Sequence, residues 1–245
     1  MRIIKAKDYA EMSRRAAQVI AAQVIIKPDC VLGLATGSTP IGLYENLIEK
    51  HKNDGLDFSQ VRSVNLDEYY GLSPRHPQSY YYFMHDNLFN YINMPEENIN
   101  LPSGIGADGE AECRRYDKLV EDLGGIDLQL LGLGHNGHIG FNEPGDEFVA
   151  ETHCVSLTES TIEANKRFFE SIDDVPKSAI TIGMGAIIRA RAILLVVSGS
   201  EKAGILKQAL CGSITPNVPA SLLQLHGNVI VVADEAALSC MQGIE

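Results

Sequence analysis

Val31-Leu32-Gly33-Leu34 runs without a charge into Ala35-Thr36-Gly37-Ser38-Thr39-Pro40, and helical periodicity takes over near 40–53. An apolar run with no polar alternation reads as a strand buried on both faces, as in a parallel sheet. Gly37 punctuates the turn, and Pro40 suits the first helical turn, where its missing N–H costs nothing. Further apolar runs lie at 61–66, 126–131, 153–157, Ala192–Val197 and 229–233. Helical patterns fall near 79–91, 109–123, 158–169, 200–211 and 234–242. Another spans 7–26, with Tyr9, Met12, Ala16, Val19 and Ile20 on one face and Pro28 as its stop. This alternation predicts an α/β fold: a single-domain, open, mostly parallel sheet with helices on both faces, Rossmann-like. No repeat, low-complexity tract or Gly/Ser linker divides the chain.

The chain has 245 residues, 45% of them hydrophobic, enough for a substantial core. Thirty-two acids against 20 bases give a net charge of −12. That sign disfavours nucleic acid and anionic membrane as partners. The longest unbroken apolar run, Ala192–Val197, is far short of the ~20 residues of a membrane span. Five cysteines, an odd number with no C-x-x-C, argue against a disulfide framework or a thiolate zinc site and suit a reducing cytoplasm. The first residues, Met1-Arg2-Ile3-Ile4-Lys5, meet a charged helix pattern rather than a signal-peptide core. An anionic substrate would have to be held by local positive groups against the protein's own field.

Ligands of open α/β sheets bind beyond the carboxyl ends of the strands. Three polar or Gly-rich segments occupy such positions. In 35–40, Thr36, Gly37, Ser38 and Thr39 precede a helix whose free N–H groups and dipole favour an anion. The spacing is not that of a nucleotide P-loop, and an ordinary turn capped by Ser38 or Thr39 gives the same pattern. In Asn65-Leu66-Asp67-Glu68-Tyr69, two adjacent acids end a buried strand. They read as a solvated turn, a helix cap or a catalytic base, and neighbours on a strand point to opposite faces.

The third segment, Gly132-Leu133-Gly134-His135-Asn136-Gly137, has the literal dinucleotide spacing G-x-G-x-x-G. The residues after it, His138-Ile139-Gly140-Phe141-Asn142-Glu143-Pro144, are too rich in Gly and Pro to be the helix that fingerprint requires. Asn136, His138 and Glu143 instead gather groups suited to moving a proton. His135 and His138, at i and i+3 in a Gly-rich loop, form a weak metal pattern, and the zinc deaminase signature is absent. Arg167 and Lys202 are the candidate cations for an anion. A lysine in a first helical turn opposes the dipole and gains nothing there structurally.

Assembled, these segments resemble the glucosamine-6-phosphate isomerase/deaminase family over essentially the whole chain. The most specific are 65–69 and 132–144, supported by 35–40, Arg167-Phe168-Phe169, Val175-Pro176-Lys177 and Ser198-Gly199-Ser200-Glu201-Lys202-Ala203. The resemblance implies conversion of D-glucosamine 6-phosphate and water to D-fructose 6-phosphate and ammonia in amino-sugar catabolism, without metal or organic cofactor. It makes Asp67 the base that moves the C2 proton to C1 through an enolamine. It gives ring opening to His138, assisted by Glu143 and Asn136. Phosphate falls to Thr36, Gly37, Ser38, Thr39, Arg167 and Lys202, and 153–182 corresponds to a mobile lid.

Asn136 stands where some members carry Asp, so Glu143 must hold more of the imidazolium charge. Activated members bind an acetylated sugar phosphate at positions matching Asp146, His153 and Val155, which do not suit an anion. The chain also stops without the C-terminal extension of the longer allosteric forms. We expect no such activation, and a monomer or homo-oligomer with less weight on the family's hexamer. The competing readings are a 6-phosphogluconolactonase-like hydrolase, which offers Asp67 no role, and a non-catalytic sugar-phosphate sensor, which normally adds a DNA-binding segment.

Overall fold

A computed structural model describes residues 1–106, 108–157, 162, 166, 171 and 175–241. The chain opens with β1 (Arg2–Ala6), α1 (Tyr9–Ile26), β2 (Val31–Leu34), α2 (Ile41–Asp54), β3 (Arg62–Asn65) and β4 (Asp67–Tyr70). Next come α3 (Tyr80–Asn87), β5 (Ile99–Asn100), α4 (Gly109–Asp122), β6 (Leu128–Leu131) and β7 (His153–Ser156). It continues through β8 (Ser178–Thr181), α5 (Met184–Arg189), β9 (Ala192–Val197), α6 (Ala203–Cys211) and β10 (Val229–Asp234).

Seven strands form one sheet in the order β1-β10-β9-β6-β2-β3-β5, and every pairing in it is parallel. Helices bury their apolar faces against it, as α1 does through Met12, Ala16 and Ile20. Each such Ile or Met removed from water contributes roughly 1.5–3 kcal/mol. Gly33 lets the two central strands approach, since a Cβ there would lie 2.1 Å from Oε1 of Gln129 on β6.

From β2 the chain runs outward through β3 to β5, then returns to the other flank of β2 at β6 and continues to β9 and β10. The strand order therefore reverses between β2 and β6, and a crevice opens at their carboxyl ends. The loops at 35–40 and 132–144, Asp67 and the turn before Lys202 all leave strands at this edge.

The expected 61–66 strand is cut at its end for a reason. Leu66 donates its N–H to Leu34 O (3.1 Å) and accepts from Ile182 N (2.7 Å). It thus leaves the main sheet and starts a second, antiparallel one, β4-β8-β7. The run at 153–157 is a strand, but of this small sheet rather than the parallel one. The helix expected over 234–242 does not form among the described residues. β10 extends through Asp234, whose carboxylate accepts from Ala237 N (2.7 Å), and turns follow. β1, β4, β5 and β8 are short strands with no alternation to reveal them. The helix expected at 158–169 lies largely outside the described residues.

Candidate active site

The loop after β2 is pinned from behind. Tyr44 of α2 donates to Ala35 O (2.5 Å), and Tyr9 of α1 reaches Ser38 O (3.2 Å) and Thr39 O (3.1 Å). Carbonyl oxygens thus turn toward the protein. Among the described residues, the N–H groups of Gly37, Ser38 and Thr39 have no partner. Gly37 sits at φ 97°, a conformation that favours glycine. α2 begins at Ile41 with Pro40 as its N-cap, and the Tyr9 hydroxyl accepts from Gly42 N (2.9 Å). Neither Ser38 nor Thr39 caps the helix, so the capped-turn alternative does not describe this loop, and the N–H groups of 37–39 are open to an anion.

Asp67 is the first residue of β4 and is only 5% exposed. Burial, then the neighbouring Glu68, pushes its carboxyl up to about 8. Among the described residues nothing donates a hydrogen bond to it. Glu68 points elsewhere, as strand alternation requires. It accepts from Tyr69 N (2.8 Å) and from Tyr80 N and Tyr81 N (both 2.9 Å), the first N–H groups of α3. Of the three roles open to this pair of acids, Glu68 takes the helix cap, and Asp67, buried, takes neither the cap nor the solvated turn.

In the loop after β6, Gly134 N donates to His138 O (2.9 Å), and Gly137 N donates to Gly134 O (3.1 Å). A Cβ on Gly134 would lie 2.3 Å from the His138 ring, so this glycine makes room for the imidazole rather than for a pyrophosphate. Asn136 donates through Nδ2 to Glu143 Oε2 (2.6 Å) and accepts His138 N on Oδ1 (3.2 Å). His138 Nδ1 stands 3.1 Å from Glu143 Oε1, close enough for charge pairing though off the line of an ideal hydrogen bond. The other ring nitrogen, Nε2, is not engaged by Glu143.

Two residues to which the sequence assigned no role dock this loop beside Asp67. Phe141 N donates to Thr181 Oγ1 (3.1 Å), and Thr181 is the β8 partner of Asp67. Asn142 Nδ2 donates to Ile139 O (3.0 Å) and Ile182 O (2.9 Å). A Cβ on Gly140 would lie 3.4 Å from Asp67 Oδ2. Asn142 stood in the motif without a role; Thr181 carried no sequence signal. Tyr80 closes the side: its hydroxyl faces Thr36 and Tyr69, and its ring stacks on Phe141 at 5.9 Å.

Lys202 ends a short turn, Ser200–Lys202, and donates to Leu133 O (2.9 Å). Burial holds its ammonium below the usual lysine value. Burial, then the charge of Lys202, lowers His135. The structure therefore brings together 36–39, Asp67, Asn136, His138, Glu143 and Lys202. Arg167 lies outside the described residues. Among the described residues no three His, Cys, Asp or Glu side chains are placed to share a metal ion.

Residues 5–231 match the family model of glucosamine-6-phosphate isomerases and 6-phosphogluconolactonase. The glucosamine-6-phosphate deaminase of Lachnoclostridium phytofermentans is 58% identical over 232 residues, 95% of this chain and 98% of that protein. That of Clostridium botulinum strain Loch Maree is 54% identical over 239 residues, 98% of each. A solved monomeric glucosamine-6-phosphate deaminase superposes with a TM-score of 0.95 at 48% identity, covering 98% of this chain and 100% of that one. The 6-phosphogluconolactonase of Trypanosoma cruzi covers 98% of this chain and 97% of its own at a TM-score of 0.79, but at 21% identity it shares the fold alone.

Proposed function

The chain belongs to the glucosamine-6-phosphate isomerase/6-phosphogluconolactonase family, and we propose that it works as a deaminase through Asp67, His138 and Glu143. The reaction converts D-glucosamine 6-phosphate and water to D-fructose 6-phosphate and ammonia. The carrying observation is Asp67, a buried carboxylate with no hydrogen-bond donor among the described residues, against which the 138–143 loop is docked. A base of that kind is matched to a carbon acid beside an imine or aldehyde. A lactonase would leave it idle.

His138 opens the pyranose by taking the anomeric hydroxyl proton and delivering one to the ring oxygen. Glu143 faces Nδ1 and holds the transient imidazolium; Asn136 orients Glu143 and neutralises none of it. Asp67 then removes the C2 proton, giving an enolamine, and returns it to C1. Water hydrolyses the resulting ketimine to the ketose and ammonia. The phosphate is held by the N–H groups at 36–39 and by Lys202, with Arg167 joining when the part of the 153–182 lid between β7 and β8 closes. Equal protease sensitivity of 153–182 with and without a substrate analogue would count against closure.

A monomer is the state proposed, as in the solved relative. Five free thiols suit the cytoplasm, and no described helix is long and apolar enough to cross a membrane. The reaction is tested by ammonia release from glucosamine 6-phosphate. Wild-type activity with an inert Asp67→Asn is expected; an active Asp67→Asn removes the base assignment.

A further inference from the structure

Glu68 is buried, 3% exposed, and carries no role in the chemistry just described. A buried carboxylate is expensive unless its charge is met. Here three backbone N–H groups meet it, two on Oε1 (Tyr69 and Tyr80) and one on Oε2 (Tyr81). Two of these belong to the first turn of α3, whose helix dipole adds to the attraction. α3 already has an ordinary cap: Ser79 Oγ accepts from Tyr82 N (3.1 Å) and donates to Pro74 O (2.9 Å). Glu68 is therefore a second cap, one residue from Asp67.

The residue it anchors is Tyr80. That side chain reaches Thr36 of the phosphate loop, packs on Tyr69 at 4.7 Å and stacks on Phe141 of the His138 loop. We propose that Glu68 is a positioning residue of the reaction: through α3 and Tyr80 it sets the 35–40 and 138–143 loops around Asp67, and its charge tunes that base. The inference rests on the deaminase reading.

The electrostatic half lies in the surroundings of Asp67. The ionisable groups coupled to it among the described residues are Glu68 on its own strand, Tyr69 beside it, Tyr44 of α2, Tyr80 of α3 and Tyr116 of α4. Burial raises all four tyrosines, so they stay neutral across the working range. Burial raises Glu68 too, but its three N–H bonds pull it back, whereas Asp67 has none. Glu68 thus ionises first, and Asp67 titrates next to a charge already present.

The experiment compares Glu68→Gln, Glu68→Asp and Ser79→Ala by kcat, KM and the pH profile of kcat/KM, with glucosamine 6-phosphate as substrate. Gln at 68 removes the charge and turns an NH2 toward a backbone N–H. Its kcat should fall ~10- to 100-fold, as displacements of about 1 Å do, with KM changed far less. The acid limb of its profile should move to lower pH. Glu68→Asp keeps the charge with a shorter reach, so it should lose kcat while holding the wild-type acid limb. Ser79→Ala loosens the same helix end without touching the charge, and should leave the limb in place and kcat nearly so.

Equal behaviour of Glu68→Gln and Ser79→Ala would overturn the proposal, leaving Glu68 as a plain helix cap. If Glu68→Gln does not fold, Glu68→Asp decides: a kcat no lower than that of Ser79→Ala overturns it. An inactive wild type would instead count against the deaminase reading.

Discussion

The ammonium of Lys202 lies 2.9 Å from the carbonyl oxygen of Leu133, so the cation that follows β9 is held by the backbone of the loop that follows β6. Two loops from adjacent strands share one charged hydrogen bond at the crevice. In a chain of net charge −12 this matters, because long-range attraction for a phosphate is weak or adverse. Capture depends on short contacts that salt screens poorly.

Lys202→Ala should therefore raise KM for glucosamine 6-phosphate about 10- to 100-fold, the worth of a charged hydrogen bond of roughly 1.5–3 kcal/mol. kcat should fall less. Steady-state kinetics check this, and an unchanged KM removes Lys202 from the site.

Asp67→Asn should abolish turnover yet stabilise the fold. The Asp67 carboxyl is raised from 3.8 to about 8 in the folded protein. The native state therefore binds more protons than the unfolded one between those values, and wild-type stability falls as pH rises through them. Asn carries no such cost. The Tm of Asp67→Asn should match wild type near pH 4 and exceed it by several degrees at pH 8, at about 2–4 °C per kcal/mol. A constant gap between the two across this range would contradict the buried, raised carboxylate.

As the proposed base, Asp67 must also be deprotonated to act. The acid limb of wild-type kcat/KM should thus lie well above the ordinary carboxylate range, which a pH–rate profile reads directly.

Asn136→Asp should keep activity but move the profile. The Asn136 amide sits 2.6 Å from Glu143 Oε2 as a donor, and an ionised Asp cannot donate. Two carboxylates at that distance share a proton. The pair would then hold one proton and lose it only at higher pH, adding an ionisation to the profile beside that of Asp67. An unshifted profile would disconnect residue 136 from Glu143.

Gly37→Ala should separate phosphate binding from chemistry. A Cβ there meets nothing within 4 Å, so the cost is backbone alone: φ is 97°, and an L-residue in such a conformation loses roughly 1–2 kcal/mol. The loop should relax and turn its N–H groups. KM should rise about tenfold with kcat at saturation largely kept. A comparable fall in kcat would place Gly37 closer to the chemistry than the phosphate reading allows.

Much of the parallel sheet was legible because its strands are continuous apolar runs between glycines and helices, as at Val31–Leu34 and Ala192–Val197. The small antiparallel sheet was not. Leu66 reads as the end of one strand, and only its bonds to Leu34 and Ile182 make it the passage between two sheets. Asp234 drew no notice because it fell on a helical pattern. In the fold its carboxylate pins Ser198 and Gly199 as well as Ala237, and so shapes the turn leading to Lys202.

The sequence by itself determined the chemical inventory and its place at strand ends: Asp67, His138, Glu143, the glycine-rich loops and a lysine where a helix dipole does not want one. Those come from residue type and local periodicity. The tertiary structure alone divided the labour between Asp67 and Glu68. One is left bare and buried beside the His138 loop; the other is spent on the N–H groups of α3, twelve residues and one turn away. Adjacent acids look alike along a chain. They differ only when burial and hydrogen-bond donors, brought by distant segments, meet one and not the other.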